Sequence, residues 1–259
     1  MNARVNWEAV GDVLDEGGEV VGSVQGGGLA AAVRIPVPGT NGLAIELTPR
    51  GRVPRTGTTS TLFIQDTAGR RMLRLDYGYN AATNRTDFHW NQRGTFDVFG
   101  RANHAPAGRG ASALYNGARY FRYAGRTLIC VGLAFDAYSV VASDRPYRQL
   151  AIVTGGWAGA WAGCRVLGAV GAGLGTMVEP GGGTAVGGIA GCFIGGVSGY
   201  WAGKTLVAAA VDEFDERILR NVEEIPASRA ATGAGPASSG SPGTVPTRET
   251  GMQSIGILP

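Results

Sequence analysis

Lysine is nearly missing from this chain: Lys204 stands alone beside 22 arginines. Histidine is almost as scarce, with only His89 and His104, so neither a histidine-rich metal site nor a histidine relay has much to draw on. The three cysteines, Cys130, Cys164 and Cys192, are too few for a disulfide framework and lack metal-ligand spacing. No P-loop, nucleophile elbow or CxxC pair occurs, and the close glycine spacings that approach G-x-G-x-x-G, as within 168–175, have no acidic residue about 20 positions on. No cofactor and no metal are therefore expected. Residues 1–14 hold no apolar core behind a basic start, so export is expected by a route independent of a signal peptide.

What the chain has in excess is glycine: 44 of 259 residues, about 17% against a usual share of about 7%. They follow no G-X-Y period, which excludes collagen. An apolar share of 44% is enough for a buried core. The net charge of +3 hides a regional bias, because residues 50–126 hold thirteen arginines and four aspartates. Such a region suits phosphate on lipid headgroups or nucleic acid, or is simply a solvated face.

Five regions follow from the patterning. Residues 1–40 read as a weakly ordered lead-in broken by GGG and proline. Residues 41–110 turn to period two in LAIEL, TLFIQD, RMLRLDY and TDFHWN, which predicts a small antiparallel meander. Residues 111–148 read as a connecting helical region. Its uncharged run 127–135 is too short to cross a bilayer, so a buried or interfacial helix is expected. Residues 149–224 predict a helical hairpin with a short charged helix after it, and residues 225–259 have the composition of a disordered tail. The fold class expected is α+β: a β meander, then helices with a long antiparallel hairpin.

The hairpin dominates the functional reading. Residues 149–178 carry one charge, Arg165, and residues 180–211 carry one, Lys204; each stretch exceeds the roughly 20 residues that cross a hydrocarbon core. EPGGG at 179–183 reverses the chain between them. Gly187, Gly191, Gly195, Gly199 and Gly203 recur every fourth residue. Gly155, Gly159, Gly163, Gly171 and Gly175 keep the same register, with Leu167 in the missing place. Residues four apart share a helix face, so each row is a groove free of side chains where another backbone can approach. Reversal at Glu179 sets Gly155 against Gly203, Gly159 against Gly199, Gly163 against Gly195 and Gly171 against Gly187, each pair of numbers summing to 358. Cys164 and Cys192 fall at nearly the same level, either as two small core thiols or as a disulfide. Each glycine costs about 1 kcal/mol relative to alanine in a water-exposed helix, whereas in lipid small residues are what let helices pack. Trp157, Trp161, Tyr200 and Trp201 gather near the open ends, as interface anchors or as core.

A hydrolytic or nuclease site built from Asp87, His89 and His104 is the chemical alternative, against a plain strand histidine and turn histidine.

The segments RYFRYAGRTLICVGLAFDAYSVV (119–141), GGWAGAWAGCRVLGAVGAGLGT (155–176), EPGGGTAVGGIAGC (179–192) and GGVSGYWAG (195–203) together resemble the glycine-zipper C-terminal regions of bacterial polymorphic toxins and secretion-system effectors. RLDYGYN and FHWN upstream are similar to the β-rich lead-in of that group. The resemblance implies a secreted antagonist or delivery module acting at a membrane, and it brings no catalytic residue. The expected partner is a lipid membrane, with a homo-oligomer and an immunity or secretion partner as further candidates and nucleic acid disfavoured. The remaining alternatives are an enzyme toxin whose hairpin serves translocation, and a structural or interaction module.

Overall fold

The computed structural model describes residues 18–47 and 59–232. The chain divides into two compact units, Met1–Glu213 and Phe214–Pro259. The first holds a helix α1 (Gly18–Ala32), the short strands β1 (Ile35–Pro36) and β2 (Ala44–Glu46), and the longer strands β3 (Thr59–Gln65), β4 (Met72–Asn80) and β5 (Arg85–Arg93). A single-turn helix α2 (Phe96–Phe99), strand β6 (Ala105–Pro106) and the helices α3 (Ala111–Val141) and α4 (Pro146–Val178) follow. The last helix, α5 (Gly182–Thr232), begins in the first unit and its final residues belong to the second, where Arg220 lies 4.0 Å from Glu216 one turn away.

The strands form one antiparallel sheet in sequence order, β1 to β6. Period two sorts the side chains onto two faces. Ile35, Ile45, Ile64 and Leu73 form one cross-strand row, and Leu62, Leu75 and Trp90 form the next. All seven are buried and merge with residues of the helices into one core. Turn chemistry fixes the β3–β4 connection. The Asp66 carboxylate accepts from the backbone amides of Ala68, Arg70 and Arg71 at 2.9–3.1 Å, while Gly69 takes a left-handed φ of 66°. Burial raises the pKa of Asp66, but the amide bonds from Arg71, Arg70, Ala68 and Gly69 outweigh it and hold the carboxyl below its ordinary value.

The α+β architecture with its glycine-lined hairpin is the one expected, and three elements depart from the sequence reading. The lead-in of residues 1–40 contains α1 and β1. Its GGG run lies inside a helix because that helix is wedged between two others. A methyl on Gly26 would sit 2.9 Å from the Val197 amide nitrogen of α5, and one on Gly28 would sit 3.0 Å from the Ile129 nitrogen of α3. Second, the connecting region is helical as expected, but the 31-residue α3 is long and apolar enough to cross a membrane, which the run 127–135 alone is not. Third, the charged segment after Val211 continues α5 without a break, and that helix runs to Thr232, into the stretch expected to be disordered. The rest of the expected tail, like residues 1–17, lies outside the described residues.

Candidate functional site

α4 and α5 run antiparallel with glycine against glycine, the arrangement the glycine rows required. A methyl built on Gly159 would stand 2.1 Å from the carbonyl oxygen of Gly199, on Gly163 2.0 Å from that of Gly195, and on Gly171 2.1 Å from that of Gly187. A methyl on Gly175 would stand 2.0 Å from the Gly183 carbonyl oxygen, and one on Gly191 2.2 Å from that of Leu167. Gly155 meets Val207 as well as Gly203. No side chain fits at the carbonyl contacts, so Gly159, Gly163, Gly171 and Gly175 of α4 meet α5 backbone on backbone, while Gly155 is also covered by the Val207 side chain. Cys164 and Cys192 sit in it with their Cα atoms 3.7 Å apart and are joined in a disulfide. The third cysteine, Cys130, is free and exposed on α3.

The turn of the hairpin is docked on the sheet. Gly181, at φ 96°, would place a methyl 3.2 Å from Leu73, and Gly188 and Gly168 are pressed against Ile45 and Ile35. Thr184 Oγ1 accepts from the Gly181 amide at 3.1 Å and shares a hydrogen bond of 2.8 Å with Thr176. Arg101 donates to Glu179 at 3.0 Å and to the Pro180 carbonyl at 3.3 Å, tying the turn to the loop before β6.

At the other end α3 joins the hairpin through a residue whose role sequence reasoning missed. Asp136, 4% exposed, accepts from Trp157 Nε1 of α4 and from the Tyr200 hydroxyl of α5, both at 2.7 Å. The sequence signal was one acid interrupting an apolar run. Its partners lie 21 and 64 residues away, beyond the reach of any local pattern. Of the four aromatics considered as interface anchors, Tyr200 is fully buried and Trp157 is bonded inward, which is core packing. Trp161 is 51% exposed with Arg165 stacked 5.0 Å from its ring, and Trp201 is 38% exposed. Lys204 lies over Tyr200 at 5.2 Å.

The outward faces of these helices are apolar and uncovered. Val166, Val170, Leu174 and Val178 form an exposed row along α4, and Val131, Leu133 and Phe135 are exposed on α3. Between α3 and α5 an open groove of about 790 Å³ is lined by Leu114, Phe121, Ile189 and Phe193. Three helical stretches, Ala111–Val141, Pro146–Val178 and Gly182–Arg220, are long and apolar enough to cross a membrane. The protein is thus compatible with membrane association, through three helices rather than two.

Asp87, His89 and His104 are also brought together. His89 Nδ1 lies 3.1 Å from Asp87 Oδ1, and the two imidazole rings are 5.5 Å apart. Asn91 Nδ2 approaches His89 Nε2 at 3.4 Å and also donates to Asp76, which accepts from Ser60 and Arg74 as well. Asn80 donates to Asp87 at 3.0 Å and to the His104 carbonyl at 3.1 Å, and Thr83 donates to Asp87 at 2.9 Å. Burial raises the Asp87 pKa, but hydrogen bonds from Asn80, Thr83 and His89 prevail and hold it below the ordinary value. His89 is 1% exposed, whereas Asp87 and His104 are half-buried, so the catalytic-type pair His89–Asp87 is reached from solvent only on its Asp87 side. The cluster acts as an internal hydrogen-bond network pinning β4, β5 and the loop before β6. Among the described residues no group of three or more His, Cys, Asp or Glu side chains is placed to hold a metal ion.

No family model, curated protein or solved structure matches the chain.

Proposed function

We propose that this chain is a membrane-active, toxin-like bacterial effector whose glycine-zipper hairpin enters and perturbs a lipid bilayer without catalysing a reaction. The observation that carries the reading is the division of labour on α4 and α5. Their glycines are consumed by backbone contact, while apolar side chains are left facing outward, Val166, Val170, Leu174 and Val178 toward the turn and Leu150, Ile194 and Leu206 toward the open end. In water such exposed apolar surface is a liability, whereas in lipid it matches its surroundings. A cognate immunity or secretion partner, or a second copy of the chain, would cover the part of that surface that enters lipid before delivery.

Dye release from vesicles tests the reading. Leakage from anionic vesicles is expected to persist in His89→Ala and His104→Ala and to disappear in Gly195→Leu, where the added side chain meets the Gly163 carbonyl. Histidine variants that lose toxicity while leakage is intact would favour a nucleic-acid enzyme carried by the hairpin. A protein that never partitions with lipid at any pH would favour an interaction module.

A further inference from the structure

The hairpin has two different ends, and the tertiary structure decides which one is available to lipid. Its turn half is packed on the sheet through Gly168, Gly181 and Gly188 and is held by the Arg101–Glu179 pair. A turn-first entry, the usual expectation for a hairpin closed by a short loop, would strip those helices from the apolar face of the sheet and break the Arg101–Glu179 pair. The open half is not packed on the sheet; at its lower edge it meets α1, where Gly26 lies against Val197 and Gly28 against Ile129. There, residues 149–164 of α4 and 194–211 of α5 are joined by residues 127–141 of α3, and the charges inside these stretches are Asp136 and Lys204. Asp136 is satisfied by Trp157 and Tyr200, and Lys204 lies over aromatic rings.

The hydrogen bonds of Asp136 fix the relative height of the helices. Arg126 comes ten residues before Asp136 on α3, and Arg165 comes eight after Trp157 on the antiparallel α4. At a rise of 1.5 Å per residue these arginines sit about 15 Å and 12 Å below the Asp136 level, at nearly one height. Arg119, Arg122 and Arg126 share one stripe of α3 that starts where the uncharged run ends, interleaved with the exposed Tyr120 and Tyr123. Trp161, stacked under Arg165, faces outward at the same boundary. At the far tip the charges pair with each other, as Arg148 does with Asp212. The layer between the two ends, whose charges are the internally partnered Asp136 and Lys204, is about 23–27 Å thick. A hydrocarbon core is about 30 Å, a mismatch that snorkelling arginines and local thinning absorb.

We propose that the part entering the bilayer is this three-helix open end, and that Arg119, Arg122, Arg126 and Arg165 with Tyr120, Tyr123 and Trp161 form a collar binding anionic phospholipid headgroups. The Glu179 turn stays docked on the sheet in water. The inference rests on the membrane-active reading and adds to it a direction of entry and a lipid class.

Cys130 makes this testable in the full chain, because it is the free thiol and lies in the α3 part of the entering layer. An environment-sensitive fluorophore on Cys130 is expected to shift to the blue with phosphatidylglycerol-containing vesicles and to be quenched by acyl-chain nitroxides. The same fluorophore on Leu174→Cys in a Cys130→Ser background is expected to remain water-like. The double substitution Arg119→Gln/Arg126→Gln is expected to weaken partitioning into those vesicles about 25-fold, at about fivefold for each arginine, and to leave phosphatidylcholine vesicles unaffected. Quenching at position 174 with a water-like Cys130 would mean turn-first entry, overturning the inference while the membrane-active reading survives. Partitioning indifferent to the arginines would overturn the collar. No lipid signal at either position would overturn the inference and the membrane-active reading together.

Discussion

Asp136 is the residue on which the junction of α3 with the hairpin turns. A carboxylate among apolar helices is tolerated because Trp157 and Tyr200 both donate to it, and removing it leaves a buried hydroxyl and a partly buried indole N–H without that acceptor. Asp136→Ala is expected to destabilise the protein by about 3 kcal/mol in chemical denaturation, with Asp136→Asn losing less because an amide oxygen still accepts. The sheet has its own titratable residues in Asp66 and Asp87, both with pKa values held below the ordinary 3.8. A carboxylate with a depressed folded-state pKa adds stability that is complete above its unfolded value and is lost as pH falls through the folded one. The melting temperature is therefore expected to hold down to about pH 4 and fall below it, and Asp87→Asn is expected to flatten that acid limb. His89→Ala should lower stability by about 2 kcal/mol, because it unpairs the network around Asp76 and Asp87.

At the level of elements, the same residue type has opposite effects in different places. Gly163 lies against a carbonyl, so Gly163→Ala must push α4 and α5 apart and is expected to cost several kcal/mol. Gly117 on α3 has open space around its Cα, so Gly117→Ala is expected to add about 0.5–1 kcal/mol through helix propensity alone. Thermal melts of the two variants test the contrast, and equal effects would show that the seam is not a tight contact. The hairpin was legible in the sequence because a period of four marks one helix face and a turn of EPGGG fixes the pairing. The glycines of α1 were not legible. Gly26 and Gly28 serve two different neighbours, α5 and α3, and as three in a row they carry no period. In isolation a GGG run predicts a break, and only close packing on both sides makes it helical.

For the whole molecule, the strands of the meander and the glycine pairing of α4 with α5 were written locally, in period two, in period four and in turn residues. Those patterns reflect backbone geometry, which acts over a few neighbouring residues. Which end of the hairpin is anchored was decided only in three dimensions. Leu73, Trp90 and Ile45 bury the turn half, while Asp136 gathers three helices at the other end. The meeting of Asp87, His89 and His104 was likewise only suggested by the sequence, and the tertiary structure decided that His89 is buried while Asp87 and His104 are half-buried. Periodicity determines what each face of an element can touch. It does not determine which face of which distant element is there to be touched, because that depends on contacts whose partners lie tens of residues apart and on which surfaces remain uncovered.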